Sequence, residues 1–263
     1  MAGRFLPAVS FFELMIATYR IAELNIEISS IYERVHRYCE GYETGENAGE
    51  PDIRVEITED DIEAERAFSD RTRAKEGRLA LVPTDDYLEE LAVYRKICEK
   101  IPYFDRFLFH GSALAMDGEG FLFTAPSGTG KSTHARLWRE VFGDKVTMIN
   151  DDKPVIGIQG NEIRIFGTPW NGKHRLGTNT SVPLKAICFL QRGENNSIRE
   201  VSKAENLPKL LGQVFRPSDK EALNRVLQLT DRMTDMVKHY ILSCNMDPEA
   251  ARVSHDMMAK KNN

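Results

Sequence analysis

The residues with the clearest chemical purpose are consecutive: Ala125, Pro126, Ser127, Gly128, Thr129, Gly130, Lys131 and Ser132. They fit the phosphate-gripping pattern G-x-x-x-x-G-K-[ST], with alanine, still small, at the first glycine. Each part has a physical reason. Gly128 and Gly130 let backbone N–H groups turn inward around phosphate oxygens, and the positive end of a following helix adds to their field. Lys131 neutralises terminal phosphates, and Ser132 offers a hydroxyl to Mg²⁺. The apolar run 120–124 before the loop and the helical pattern through residue 141 after it supply the required strand and helix.

Asp151 and Asp152 lie twenty and twenty-one residues beyond Lys131, after the apolar run 146–149. At the C-terminal end of a strand in a parallel sheet they would stand where such folds bind ligands. One carboxylate could organise Mg²⁺ and the other accept a proton; as bare sequence they also suit a turn before Pro154. His110, on the strand expected just before the loop, reads by type alone as a satisfied, partly buried side chain. A third segment, residues 167–175, mixes flexible glycines with Trp170, Lys173, His174 and Arg175, which suits a loop closing over phosphates or substrate. Lys173 and Arg175 are its expected phosphate contacts, whereas His174 suits an exposed position equally well.

His110-Gly111, the loop 125–132 and Asn150-Asp151-Asp152, in this order and at this spacing, resemble the catalytic domain of HPr kinase/phosphorylase and its smaller relatives. Those relatives include HPr-kinase-like proteins associated with modified-peptide biosynthesis, and the group shares its nucleotide-binding core with phosphoenolpyruvate carboxykinase. The resemblance covers roughly residues 107–190. It implies ATP and Mg²⁺ gripped by Lys131 and Ser132, Asp151 as general base for a serine hydroxyl, and His110 and Asp152 supporting base and metal. Two departures stand out: Thr133 follows the loop serine where family kinases often carry Glu, and Asn150 stands where many have Ala.

The surrounding elements follow from periodicity. Residues 14–29 read as one or two strands, 31–43 as a short helix, 44–51 as a loop, 52–58 as a strand, and 59–75 as a solvated helix or a connection. A helix is expected from Thr84 to about Lys100, then a hairpin of two apolar strands over 107–116 and 120–124, and further strands at 155–158, 162–166 and 184–190. Apolar residues at three- and four-residue steps from Leu223 to Ile241 predict one long amphipathic helix, and the end at 260–263 reads as frayed.

These elements predict an α/β chain: a small N-terminal domain over 1–105 that selects substrate, and an ATP-binding catalytic domain with a carboxykinase-like phosphate-loop core over 106–263. A net charge of -5 and pI near 5.8 argue against nucleic acid, and 41% hydrophobic residues suit a folded chain. Cys39, Cys98, Cys188 and Cys244 lie far apart and read as reduced thiols. No run approaches a membrane span or, at residues 1–7, a signal peptide, so the expected compartment is the cytoplasm. The expected reaction is transfer of the ATP γ-phosphoryl group to a serine hydroxyl of a protein or peptide. A small hydroxylated acceptor, a nucleotide sensor that transfers nothing, and a homo-oligomer stay open.

Overall fold

The structure, a computed structural model, describes residues 14–45, 49–77 and 82–260. The expectations for residues 1–7, the middle of the loop at 44–51 and the terminal 261–263 fall on residues outside this description. The first half contains β1 (Met15–Ile21), β2 (Leu24–Ser30), α1 (Arg34–Tyr38), β3 (Ile53–Glu56), α2 (Glu59–Glu76) and α3 (Asp85–Lys100). The second contains β4 (Arg106–Leu108), β5 (Ser112–Met116), β6 (Glu119–Thr124), α4 (Lys131–Phe142), β7 (Val146–Asn150), β8 (Val155–Gln159), β9 (Glu162–Phe166) and β10 (Ser181–Arg192). It closes with β11 (Ser197–Val201), α5 (Lys203–Leu210), α6 (Lys220–Met236), β12 (Lys238–Cys244) and α7 (Glu249–Met258).

The first three strands form a small sheet, β1 antiparallel and β3 parallel to β2. Along β2 every second residue is buried, the period-two pattern of a strand with one face on a core. Helix α3 turns Leu88, Val93 and Ile97 inward, and its buried Glu89 accepts from the backbone N–H groups of Ile31 and Tyr32 at 2.5 and 2.9 Å. Two donors left over at the end of β2 are thereby satisfied inside the core. That core continues into the second half of the chain, where Leu108, Val155, Phe166 and Trp170 join it. Arg106 also donates to the Ala22 carbonyl at 2.7 Å.

The remaining strands form a nine-stranded mixed sheet in the order β4-β8-β9-β10-β6-β5-β7, with β12 on β10 and β11 on β12. The long β10 joins its two parts, antiparallel to β9 through residues 181–183 and parallel to β6 and β12 thereafter. The expected parallel edge at β7 is corrected. β7 runs antiparallel to β5, and so does β6, so β6 and β7 share a direction and end on the same side of the sheet with β5 between them.

Two other expectations change. The run 107–116 is not one strand: it breaks at residues 109–111, β4 pairing with β8 and β5 with β6. Gly111 makes the crossing, since a Cβ there would lie 2.8 Å from the Leu122 side chain and 2.9 Å from the Phe123 carbonyl oxygen. The helix expected through residue 241 ends at Met236; Tyr240 and Ile241 belong to β12, where aromatic and β-branched residues fit the pleat. The segment 59–75, read two ways from the sequence, is helical, and its start is closed by Thr58, which donates from N and Oγ1 to Asp61 at 2.9 Å. All four cysteines are free thiols.

Beneath α4, Trp138 is fully buried against Phe121 and Phe123, ring centroids 5.1 and 5.3 Å away, and its Nε1 donates to Ser254 Oγ at 2.8 Å. Trp138→Ala should destabilise the protein by about 3–5 kcal/mol, the usual cost of emptying a buried aromatic site. Equilibrium urea unfolding checks this; a loss under about 1 kcal/mol would mean that α4 is held from elsewhere.

Candidate functional site

Strand β6 runs into its loop fully buried as far as Ala125, after which Pro126, Ser127 and Gly128 are exposed. Gly128 and Gly130 have φ of +77° and +127°, in the region that side chains disfavour, and Gly130 is the residue from which α4 starts. The loop thus turns tightly into a helix N-terminus carrying Lys131 and Ser132. Lys131 is buried, with Nζ donating to the Ala125 carbonyl at 3.0 Å, and burial pulls its pKa below the usual lysine value while Asp152 and Asp151 oppose that pull. Ser132 remains exposed.

The acids arrive from β7, one strand beyond β5, and Asn150 sets their geometry. It is fully buried at the end of that strand. Its Oδ1 accepts from the N–H groups of Asp152 and Lys153 at 2.8 and 2.7 Å, closing the turn that carries both aspartates. Its Nδ2 donates to the Thr168 carbonyl and hydroxyl and to the Trp170 carbonyl at 3.0–3.3 Å, so one side chain clasps two segments. Thr168 Oγ1 returns a bond to the Lys153 carbonyl at 2.8 Å.

Asp151 is buried, and its Oδ1 accepts a 2.8 Å bond from Ser112 Oγ on β5, also buried. Asp152 is half-buried, 3.5 Å from His110 Nε2 and 3.7 Å from Lys153 Nζ. His110 sits in the β4–β5 break with its backbone clamped: its N–H donates to the Gln213 carbonyl, its carbonyl accepts from Thr124 Oγ1, and the next N–H, of Gly111, donates to the Asp152 carbonyl. Its Nδ1 lies 3.0 Å from Gln213 Oε1, which as an acceptor puts the proton on Nδ1. Burial first and Lys131 second push its pKa below 6.5, with Asp152 pulling the other way.

Loop, acids and His110 line one cavity of about 730 Å³. Of the expected phosphate contacts, Ser127, Gly128, Gly130, Lys131, Ser132, Thr133, Lys173 and Arg175 border it, together with His174. Ala125, Pro126 and Thr129 do not. Trp170 borders the cavity but is a packed core residue, 5.4 Å from the Tyr94 ring. Arg175 is exposed at φ +48°, with its guanidinium 3.8 Å from the centre of the Tyr38 ring. Sequence reasoning missed the far wall, which Tyr38 of α1 and Tyr87, Glu90 and Leu91 of α3 contribute. The buried carboxylate of Glu90 pairs with Arg34 Nε at 2.8 Å. Only the (i, i+3, i+4) spacing of Tyr87, Glu90 and Leu91 hinted that they share a face. Ser112, although next to His110-Gly111, and Gln213, distant from every motif, were not singled out from the sequence.

Among the described residues no cluster of three or more His, Cys, Asp or Glu could hold a metal alone, and no helix is long and apolar enough to cross a membrane.

These features define a mixed α/β protein in which a glycine-rich strand–loop–helix faces two aspartates across one cavity. The chain belongs to the family described as SynChlorMet cassette protein ScmC, whose family model matches residues 87–246. No curated protein matches it. Among solved structures it is similar to the Hpr(Ser) kinase/phosphatase from Coxiella burnetii, with 13% identity over 57% of this chain and 94% of that one and a TM-score of 0.34.

Asn150→Ala should cost about 2–4 kcal/mol, because it removes five bonds and leaves buried N–H and C=O groups without partners. Asp152→Asn, at a half-exposed position, should stay within about 0.5 kcal/mol, and urea unfolding of both variants checks the contrast. NMR titration of His110 should give a pKa below 6.5 that rises in Lys131→Met and falls further in Asp152→Asn. With the folded value below the unfolded one, neutral His110 contributes stability above about pH 6.5 that is lost as pH falls through the folded value. A His110 pKa above 6.5 would reverse the sign.

Proposed function

We propose that the protein is an ATP-dependent kinase that transfers the γ-phosphoryl group to a hydroxyl, that of a serine in a protein or peptide. The observation that carries this reading is the single cavity in which a glycine-rich loop and helix N-terminus lie opposite two carboxylates. Phosphates need the first, and a hydroxyl nucleophile needs the second. The resemblance of the motifs to HPr kinase/phosphorylase points the same way.

In this reading the backbone N–H groups of residues 127–131 cradle the phosphates, and Lys131 leaves the Ala125 carbonyl to meet them. Ser132 and Asp152 would hold Mg²⁺. The pairing suits that ion, which takes oxygen ligands, few of them from protein, and completes its shell with phosphate and water. When bound, Mg²⁺ neutralises charge that builds up on the phosphoryl oxygens during transfer.

Asp151 accepts the proton of the acceptor hydroxyl as that oxygen bonds to the γ-phosphorus and the bond to the β–γ bridging oxygen breaks. Ser112 fixes one oxygen of this carboxylate, leaving the other for the substrate proton. The His110–Gly111 backbone steadies the Asp152 turn through the Gly111 N–H, and Lys173 and Arg175 approach the transferred group from the loop above. For Arg175 this means leaving Tyr38, so closure of the loop and entry of the acceptor would be linked. The wall of Tyr38, Tyr87, Glu90 and Leu91 would receive the acceptor, which gives the first half of the chain its substrate-selecting role.

Transfer of radiolabelled phosphate from ATP to a peptide or protein acceptor tests the reading. Asp151→Asn should lower turnover by about 10²–10⁴ with little change in ATP affinity, the scale of general base help. Lys131→Ala should weaken both ATP binding and turnover, and Asp152→Asn should be partly rescued by high Mg²⁺. ATP binding with no transfer by wild type to any acceptor, and no effect of either aspartate variant, would leave a nucleotide-sensing module instead.

A further inference from the structure

The phosphate loop is a partition with a cavity on each side. The second, of about 490 Å³, shares Gly128, Gly130 and Thr133 with the first and is otherwise walled by Leu137, Leu190, Arg192, Cys244 and Met246, among others. Its size falls within the range of small-ligand sites. None of its lining residues is an aspartate or glutamate.

We infer that this second cavity is the nucleoside subsite: base and ribose lie against Leu137, Leu190 and Met246 while the phosphates pass over the loop to the acids on the other side. The inference rests on the kinase reading above and adds to it the place where the nucleoside half of the substrate sits.

Three observations carry it. The first cavity is bordered by Lys131, Asp151, Asp152 and His110. A base there would desolvate Lys131 and the two aspartates without pairing them, and it would occupy room that the acceptor needs. The second cavity offers aliphatic side chains and a thioether, whose contacts with an aromatic ring are favourable.

The cavity is also tied directly to the loop, since Arg192 Nη2 donates to the Gly128 carbonyl at 2.6 Å. Its floor is held before any ligand arrives, by Gly193 N–H to the Cys244 carbonyl at 3.0 Å and by Asn245 Nδ2 to the Glu194 carbonyl at 2.8 Å. Preformed floors of this kind lower the ordering cost of binding.

The buried His134 completes the wall of this cavity from α4, held by Nε2 on Ser254 Oγ at 3.1 Å.

Cys244 makes the test simple, because it is the one cysteine of the four that is not buried. Wild-type protein is alkylated with iodoacetamide and Cys244 modification followed by peptide mass spectrometry, with β,γ-imido-ATP or inorganic tripolyphosphate present and Mg²⁺ throughout. Binding of each ligand is measured separately by calorimetry. At ten times its Kd the nucleotide should slow Cys244 alkylation about tenfold, because only about one site in eleven is then free. Tripolyphosphate at the same saturation should leave the rate unchanged. As a second measurement, Cys244→Phe, which fills the cavity, should weaken the nucleotide at least about tenfold while tripolyphosphate affinity holds, one decade in Kd being about 1.4 kcal/mol.

Equal protection by both ligands, or protection by neither although both bind, overturns the second cavity as the nucleoside site and leaves the phosphate loop standing. Tripolyphosphate binding without nucleotide binding also overturns it. Binding of neither ligand removes the phosphate-loop reading and this inference with it.

Discussion

Asn150 is a side-chain amide with every hydrogen-bonding position in use, and the shape of the cavity between the loop and the aspartates depends on it. Its oxygen closes the turn that presents Asp151 and Asp152, and its nitrogen draws in the segment 168–170 from which the residue 171–175 loop departs. Because the group is wholly buried, the geometry is steep: a loosened bond would leave polar backbone groups without water or partner. The acids on one wall and the basic loop on another are therefore parts of one clasp.

The sheet supplies the second constraint. Since β6 and β7 both run antiparallel to β5, the phosphate-type loop and the aspartates emerge on one edge although a strand separates them. The crossing at Gly111 then brings His110 beside that edge, and its neighbour's N–H bonds to the Asp152 carbonyl. Ser112, first residue of β5, reaches across to Asp151 from the same crossing. One strand thus orients both the base candidate and the histidine next to the other acid.

The first half of the chain packs directly against the second and shares its cavity. Its core is continuous with Trp170 and Phe166 of the second half, and its helices wall the cavity with Tyr38, Tyr87, Glu90 and Leu91. Arg175 resting on Tyr38, and Lys153 lying 4.6 Å over the Tyr94 ring, place cations of the second half on aromatic faces of the first. Residues of both halves border the cavity.

The sequence by itself determined what is local. The pattern at 125–132 carried the strand–loop–helix, because glycines with positive φ and a helix start are decided within a few residues. Alternation marked β2 and β3, short apolar runs marked β8 and β9, and cap and acid placement marked α3, because period and termini are short-range properties. Tertiary structure decided the rest. It cut the run 107–116 in two, since its halves pair with different strands, and it turned Tyr240 and Ile241 from a helical pattern into a strand beside β10. It packed Trp170 into the core, and it chose Ser112, Gln213, Tyr38 and Glu90, which lie between 39 and 113 positions from Asp151, as neighbours of the site. Pairing partners, and the side chains that face one another across a cavity, are non-local, and no spacing along a single chain encodes which distant residue will fill the space opposite Lys131.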